Sequence, residues 1–128
     1  MEATVQRRHK RSWQRMKYIL VNKEVVAVDD IREWELWMSQ NKKRIASVSY
    51  LSNGVRVSTV FLGIDHGFGS KVPVLFETMI FGGKHDQYQE RYVTWDEAKA
   101  GHEVAVSLAN NGWWDTLYIW LSRIMPNG

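Results

Sequence analysis

The tripeptide Ser52-Asn53-Gly54 separates two runs, Arg44 to Tyr50 and Val55 to Leu62, that are rich in β-branched and aromatic residues. Asn-Gly between such runs favours a tight turn whose backbone matches the right-handed twist of paired strands, so the segment predicts an antiparallel β-hairpin. A third run, Val72 to Phe81, is apolar on both alternating faces, which predicts a strand in the centre of a sheet. The stretch Val55 to Gly83 is therefore the best-specified piece of the chain, a strand–loop–strand unit around which the rest must pack.

Flanking segments add elements of both kinds. Tyr18-Ile19-Leu20-Val21 and Val25-Val26-Ala27-Val28 flank Asn22-Lys23-Glu24 and predict a small hairpin. Asp29 and Asp30 suit a helix N-cap, and Ile31, Trp34, Trp37 and Met38 then recur at helical spacing for about three turns, until Asn41-Lys42-Lys43 ends them. After the Gly82–Asp86 turn, Tyr88 to Val93 predicts a further strand. Thr94-Trp95-Asp96-Glu97 has the form of a capping box, with Thr at N-cap and Glu at N3. The helix it opens would bury Ala98, Ala105 and Leu108 and stop at Asn110-Asn111-Gly112. The expected fold is α+β: a single domain with a mainly antiparallel sheet, one helix in the N-terminal half and one after the sheet.

Charge divides the chain. Residues 1–17 hold Arg7, Arg8, Lys10, Arg11, Arg15 and Lys17 against Glu2, whereas the remainder has eleven basic and thirteen acidic residues. The basic pI thus belongs to an arm, residues 1–15, and not to the domain, residues 16–112. Any nucleic-acid contact is expected through that arm. Residues 113–128 form a third region. Three of the chain's seven Trp lie there, with Leu117, Tyr118, Leu121 and Ile124. The segment is too short to span a bilayer and is expected to dock on the domain or, by preference, to form a subunit contact in a homo-oligomer. Zero Cys excludes disulfides, thiolate metal sites and a Cys nucleophile, and it fits a cytoplasmic location.

Chemistry-bearing residues concentrate between and within the strands. Gly63-Ile64-Asp65-His66-Gly67-Phe68-Gly69 combines flexible backbone, an acceptor, an imidazole and a stacking ring. It reads either as a glycine-rich turn whose Asp caps backbone amides or as a ligand-contacting loop. Glu77, among Leu75, Phe76, Met79 and Ile80, requires a partner such as Arg56 or Arg91, or else serves a ligand. His102 shares a helix face with Ala98 and Ala105, which suits a hydrogen-bonded packing residue; His85 lies in a polar loop. Asp65, His66, Glu77 and His102 supply the ingredients of an acid–base or metal site, but no ligand spacing ties them together. No catalytic residue, metal or cofactor is assigned.

The run Val57-Ser58-Thr59-Val60-Phe61-Leu62-Gly63-Ile64-Asp65-His66-Gly67-Phe68-Gly69 resembles a pattern of a family of small bacteriophage and prophage proteins without an assigned activity. The resemblance continues through Pro73-Val74-Leu75-Phe76-Glu77-Thr78-Met79-Ile80-Phe81-Gly82-Gly83, Arg91-Tyr92, Thr94-Trp95-Asp96-Glu97-Ala98 and Gly101-His102, covering roughly residues 16–109. It implies an accessory protein working in a host bacterial cell, and by analogy one that counters host defence by sequestering a nucleotide-derived signal. The expected role is that of a non-catalytic oligomeric binder. Phe68, Phe81 or Tyr92 would stack a base, Arg56 or Arg91 would neutralise phosphate, and Asp65, His66, Glu77 and His102 would complete the ligand contacts. The alternatives are a small metal-assisted or acid–base hydrolase using Asp65, His66, Glu77 and His102, and a DNA-binding or host-protein-binding inhibitor acting through the arm.

Overall fold

The computed structural model describes residues 17–110 and Arg123, so the expectations placed on the arm and on the rest of the C-terminal segment lie outside the described residues. The chain opens with β1 (Lys17–Val21) and β2 (Glu24–Val28), paired antiparallel. Their turn is two residues, one shorter than expected. Asn22 and Lys23 both have positive φ, 50° and 69°, which is the turn that twists with its strands, and Glu24 joins the ladder opposite Val21.

Helix α1 (Ile31–Met38) begins as predicted, with the Asp30 carboxylate accepting from the Arg32 N–H at 2.9 Å. It has two turns instead of three. The chain turns at Ser39 and re-forms a short helix, α2 (Asn41–Arg44), where a stop was expected. The four-stranded sheet follows, β3 (Ile45–Tyr50), β4 (Arg56–Phe61), β5 (Phe76–Phe81) and β6 (Gln89–Tyr92), in sequential antiparallel order. The third strand is central, as its composition demanded, but it is shorter than Val72 to Phe81. Pro73 lacks an N–H, and the approach to β5 is irregular until Phe76.

The closing helix, α3 (Trp95–Asn110), starts at the predicted capping box: Thr94 Oγ1 accepts from the Glu97 N–H and Glu97 Oε1 from the Thr94 N–H, each at 3.1 Å. It lays Ala98, Gly101, His102, Ala105 and Leu108 on the sheet. Strand alternation then sorts every sheet residue. Val57, Thr59 and Phe61 of β4, Phe76, Thr78 and Ile80 of β5, and Tyr92 of β6 are buried beneath α3. The core has two parts. Val55, Val57 and Ile80 meet Ala105 and Leu108, while Phe61, Leu75, Phe76 and Tyr92 meet Ala98 and receive Tyr18, Leu20, Val25, Trp37 and Trp95 from the hairpin, α1 and α3. Fully burying each large side chain contributes about 1.5–3 kcal/mol, so the second cluster is what holds the hairpin to the sheet.

Among the described residues no helix is long and apolar enough to cross a membrane.

Candidate functional site

The predicted site residues separate into three groups. Asp65 and His66 lie in the loop between β4 and β5, and their polar atoms serve that loop. Asp65 Oδ1 accepts from the Gly67 N–H at 2.7 Å and from the Val74 N–H at 2.8 Å, and His66 Nδ1 is 2.7 Å from the Ile64 carbonyl. The Asp thus has the capping role foreseen as one of its two readings. Phe68 stands at the loop tip, 73% exposed and at a positive φ of 40°.

His102 and Tyr92 form a second group, and neither can contact a ligand in this arrangement. His102 is 1% exposed under the sheet. Its Nδ1 hydrogen-bonds with Thr59 Oγ1 and its Nε2 with Ser49 Oγ, both at 2.8 Å, and Thr59 hydrogen-bonds in turn with Thr78. Both ring nitrogens are satisfied and burial lowers the imidazole pKa, so the ring is a neutral packing and network residue. Tyr92 is buried against Gly101, and burial pushes its phenol up to about 12. Its ring has no free face for a base, which corrects that expectation.

The third group does converge. On β4, β5 and β6 the residues between the buried ones point away from α3, which brings Arg56, Glu77 and Arg91 onto one face together with Phe81. Glu77 finds its partner in Arg91, with Nε 3.0 Å from Oε2, and Gln89 Nε2 donates to the same oxygen at 2.6 Å. Arg56 instead lies over the Phe81 ring, its guanidinium carbon 4.3 Å from the centroid. The register sets Tyr50, Arg56 and Phe81 side by side across three strands. Tyr50 is 77% exposed. The next row along the face is Val48, Ser58, Met79 and Gln89, and the one beyond holds Val60, Glu77 and Arg91. No described element packs on this face. Arg123 comes within 3.8 Å of Glu90, a residue on the helix side of β6, so its side chain lies at the opposite surface.

Glu77 therefore faces away from His102, with the sheet between them, and the acid–base set of Asp65, His66, Glu77 and His102 is not assembled. Among the described residues no three His, Asp or Glu side chains group to hold a metal ion.

A separate cleft of about 410 Å³ opens between the hairpin, Val72 to Leu75 and the start of α3. Trp95 forms part of its wall, with the Lys23 ammonium 5.6 Å from the ring centroid, and Tyr18, Val25 and Pro73 line it further. Burial, and secondarily the Asp65 carboxylate, raise the Tyr18 phenol pKa.

Sequence reasoning missed Tyr50, Trp95, Lys23 and Tyr18 as surface candidates. Tyr50 was within reach: the Ser52-Asn53-Gly54 turn sets the register that places it opposite Arg56. The cleft was not, because it exists only where a hairpin 50 or more residues away in sequence lies against the capping segment of α3.

No family model matches the chain, and neither does any curated protein or solved structure.

Proposed function

We propose that this protein is a non-catalytic binding module that recognises its partner through the open face of the four-stranded sheet. The observation carrying this reading is the Tyr50–Arg56–Phe81 row, a planar cation held between two aromatic positions on a face that no described element covers. Exposed aromatic and Arg groups on a rigid scaffold are the usual anchors of recognition surfaces. The titratable groups foreseen for catalysis are meanwhile bound into the loop, the sheet interior and an ion pair.

Site-specific photo-crosslinking in producing cells tests it. A benzophenone side chain installed at position 50 is expected to capture a partner, and one at Ala100, exposed on α3, is expected not to. Equal capture at both positions, or none at position 50, overturns the reading.

A second reading rests on the cleft. Its volume lies in the range of small-molecule sites; Trp95 offers an aromatic wall and Lys23 a positive charge to a planar anion, with Glu24 the one carboxylate of the described lining. This is the part of the molecule that suits the nucleotide-derived ligand, and with it the counter-defence role, expected from the phage resemblance. Titration with adenine and nicotinamide nucleotides, followed by the Trp95 indole NMR signal, is expected to shift that signal in the natural chain and not in Lys23→Ala. An unmoved signal removes the second reading. Under both readings the ligand returns chemically unchanged after heat denaturation of the protein.

A further inference from the structure

Building on the proposed recognition face, we infer that its ligand is single-stranded nucleic acid, stacked on the Tyr50–Arg56–Phe81 row. The geometry of that row is the first argument. Tyr50, Arg56 and Phe81 are register partners on adjacent strands, so their side chains leave the sheet about 5 Å apart along a line across it. The guanidinium lies over the Phe81 ring at 4.3 Å. Its opposite face and the exposed Tyr50 ring are flat surfaces of the kind on which unpaired bases stack. A duplex hides its base faces in its own stack, so the row selects single strands.

Charge is the second argument. The described domain is not basic as a whole, but its charges are segregated. Glu77 is the one carboxylate among the strand residues of this face, and Arg91 neutralises it at 3.0 Å. Arg56 faces no carboxylate there. Lys42-Lys43-Arg44 leads directly into β3, at the end of the face where Val60, Glu77 and Arg91 lie. Asp29, Asp30, Glu33 and Glu35 belong instead to α1 and its approach, and Asp96, Glu97 and Glu103 to α3. The loop carboxylates at the ends of the strands are taken up by backbone amides, Asp86 accepting from the Gly82 N–H at 2.6 Å and Asp65 from the Gly67 and Val74 N–H groups. The row and the Lys42–Arg44 cluster lie at opposite ends of the strands, which suits a phosphate backbone running along them with its bases turned down onto the row. The five basic residues between Arg7 and Arg15 add to the attraction from the arm.

A second copy of the chain fits the face less well. Four strands of four to six residues present roughly 350 Å², against about 800 Å² per partner in a stable protein interface. A face-to-face pair would also enclose two Arg56 groups with no free carboxylate between them.

Fluorescence anisotropy of the full chain with labelled oligo(dT) and oligo(U) of about ten nucleotides tests the inference. Binding is expected to weaken by orders of magnitude between about 50 and 200 mM salt, and a duplex of equal length is expected to bind more weakly. Tyr50→Ala and Arg56→Ala should each weaken binding at least about fivefold, the lower end of what loss of one base stack removes. Tyr50→Ala should leave the salt slope unchanged, since it removes no charge. Arg56→Lys keeps the charge but not the flat stacking surface, so it should lose affinity with the salt slope unchanged, whereas Arg56→Ala should also make that slope shallower. Both positions are exposed, so an unchanged thermal transition confirms that the variants fold. Undiminished affinity in Tyr50→Ala and Arg56→Ala, with loss on deleting residues 1–15, assigns binding to the arm and overturns the inference. No binding at low salt, or preference for the duplex, overturns it too. The position-50 crosslink separates this failure from failure of the recognition face: a nuclease-resistant protein adduct there keeps the face and removes nucleic acid as its ligand.

Discussion

His102 shows how a residue with catalytic chemistry can be committed to structure. Burial comes first among the causes that lower its pKa; Lys99 adds to it and Glu103 opposes. Above about pH 6.5 the imidazole is neutral folded and unfolded, and it makes no linkage contribution. Below that value the unfolded chain takes the proton and the folded chain does not, until the lower folded pKa is reached. Stability should therefore decline as pH falls through and below about 6.5, by up to roughly 1.4 kcal/mol per unit, and level off beneath the folded value. Urea unfolding between pH 7.5 and 5 checks this, with the slope reduced in His102→Ala. At neutral pH that variant should lose roughly 2–4 kcal/mol, because it opens a cavity and strips partners from Ser49 and Thr59. Immediately before His102 in α3, Gly101 lies against Tyr92, and an added Cβ would overlap that ring. Gly101→Ala should thus lose about 1–3 kcal/mol in spite of alanine's better helix propensity, read as a lower thermal midpoint.

The Leu62–Leu75 connection is the element where Asp65 matters most. Its Oδ1 ties the Gly67 and Val74 amides, closing the loop at both ends, while the Leu62 N–H donates to the Leu75 carbonyl at 2.7 Å. Asp65→Ala should cost about 1–3 kcal/mol by leaving amides without an acceptor, and amide exchange should quicken between Gly67 and Val74 while β4 and β5 stay protected. Much at this scale could be read in advance. The β3–β4 hairpin, the N-caps at Asp30 and Thr94 and the central place of β5 follow from turn chemistry, capping side chains and apolar runs, all local signals. The failures were also local in origin. The three-turn expectation for α1 ran to the stop at Asn41-Lys42-Lys43, but the apolar spacing ends at Met38; Trp34, Trp37 and Met38 are only partly buried and Ile31 is exposed, so packing gave no reason for a third turn. The site was less legible. Alternation along β4 and β5 could have told Arg56 and Glu77 from Val57 and Thr78, but which face α3 would cover is a property of the assembled sheet. Tyr92 was misplaced among the ligand contacts for that reason, while His102 took the hydrogen-bonded packing role that its helix face had suggested beside the ligand contact.

At the scale of the whole molecule, Gly63 is the joint between the hairpin, α1 and the sheet. Its carbonyl accepts from the Tyr18 N–H at 2.9 Å and from Trp34 Nε1 at 3.1 Å, and Lys17 bridges to Ile64 beside it. The residue is buried at φ +77°, and an added Cβ would stand 2.6 Å from Met38 Sδ. A side chain here meets two obstacles: the left-handed backbone costs about 1–2 kcal/mol, and Met38 must leave its place on α1. Gly63→Ala should therefore loosen β1, β2 and α1 as a unit, seen as faster amide exchange across Lys17–Met38, while β3 to β6 keep their protection through α3. The two surfaces should then part company. The cleft is walled by Tyr18, Lys23 and Val25 on one side and Trp95 on the other, so nucleotide binding there should fall with the hairpin's docking. The Tyr50–Arg56–Phe81 row belongs wholly to β3, β4 and β5, and oligonucleotide affinity should stay within about twofold of the natural chain, as expected for distant, independent sites. Loss of both together in Gly63→Ala would mean that the hairpin supports the open face after all, and that the two surfaces are not independent.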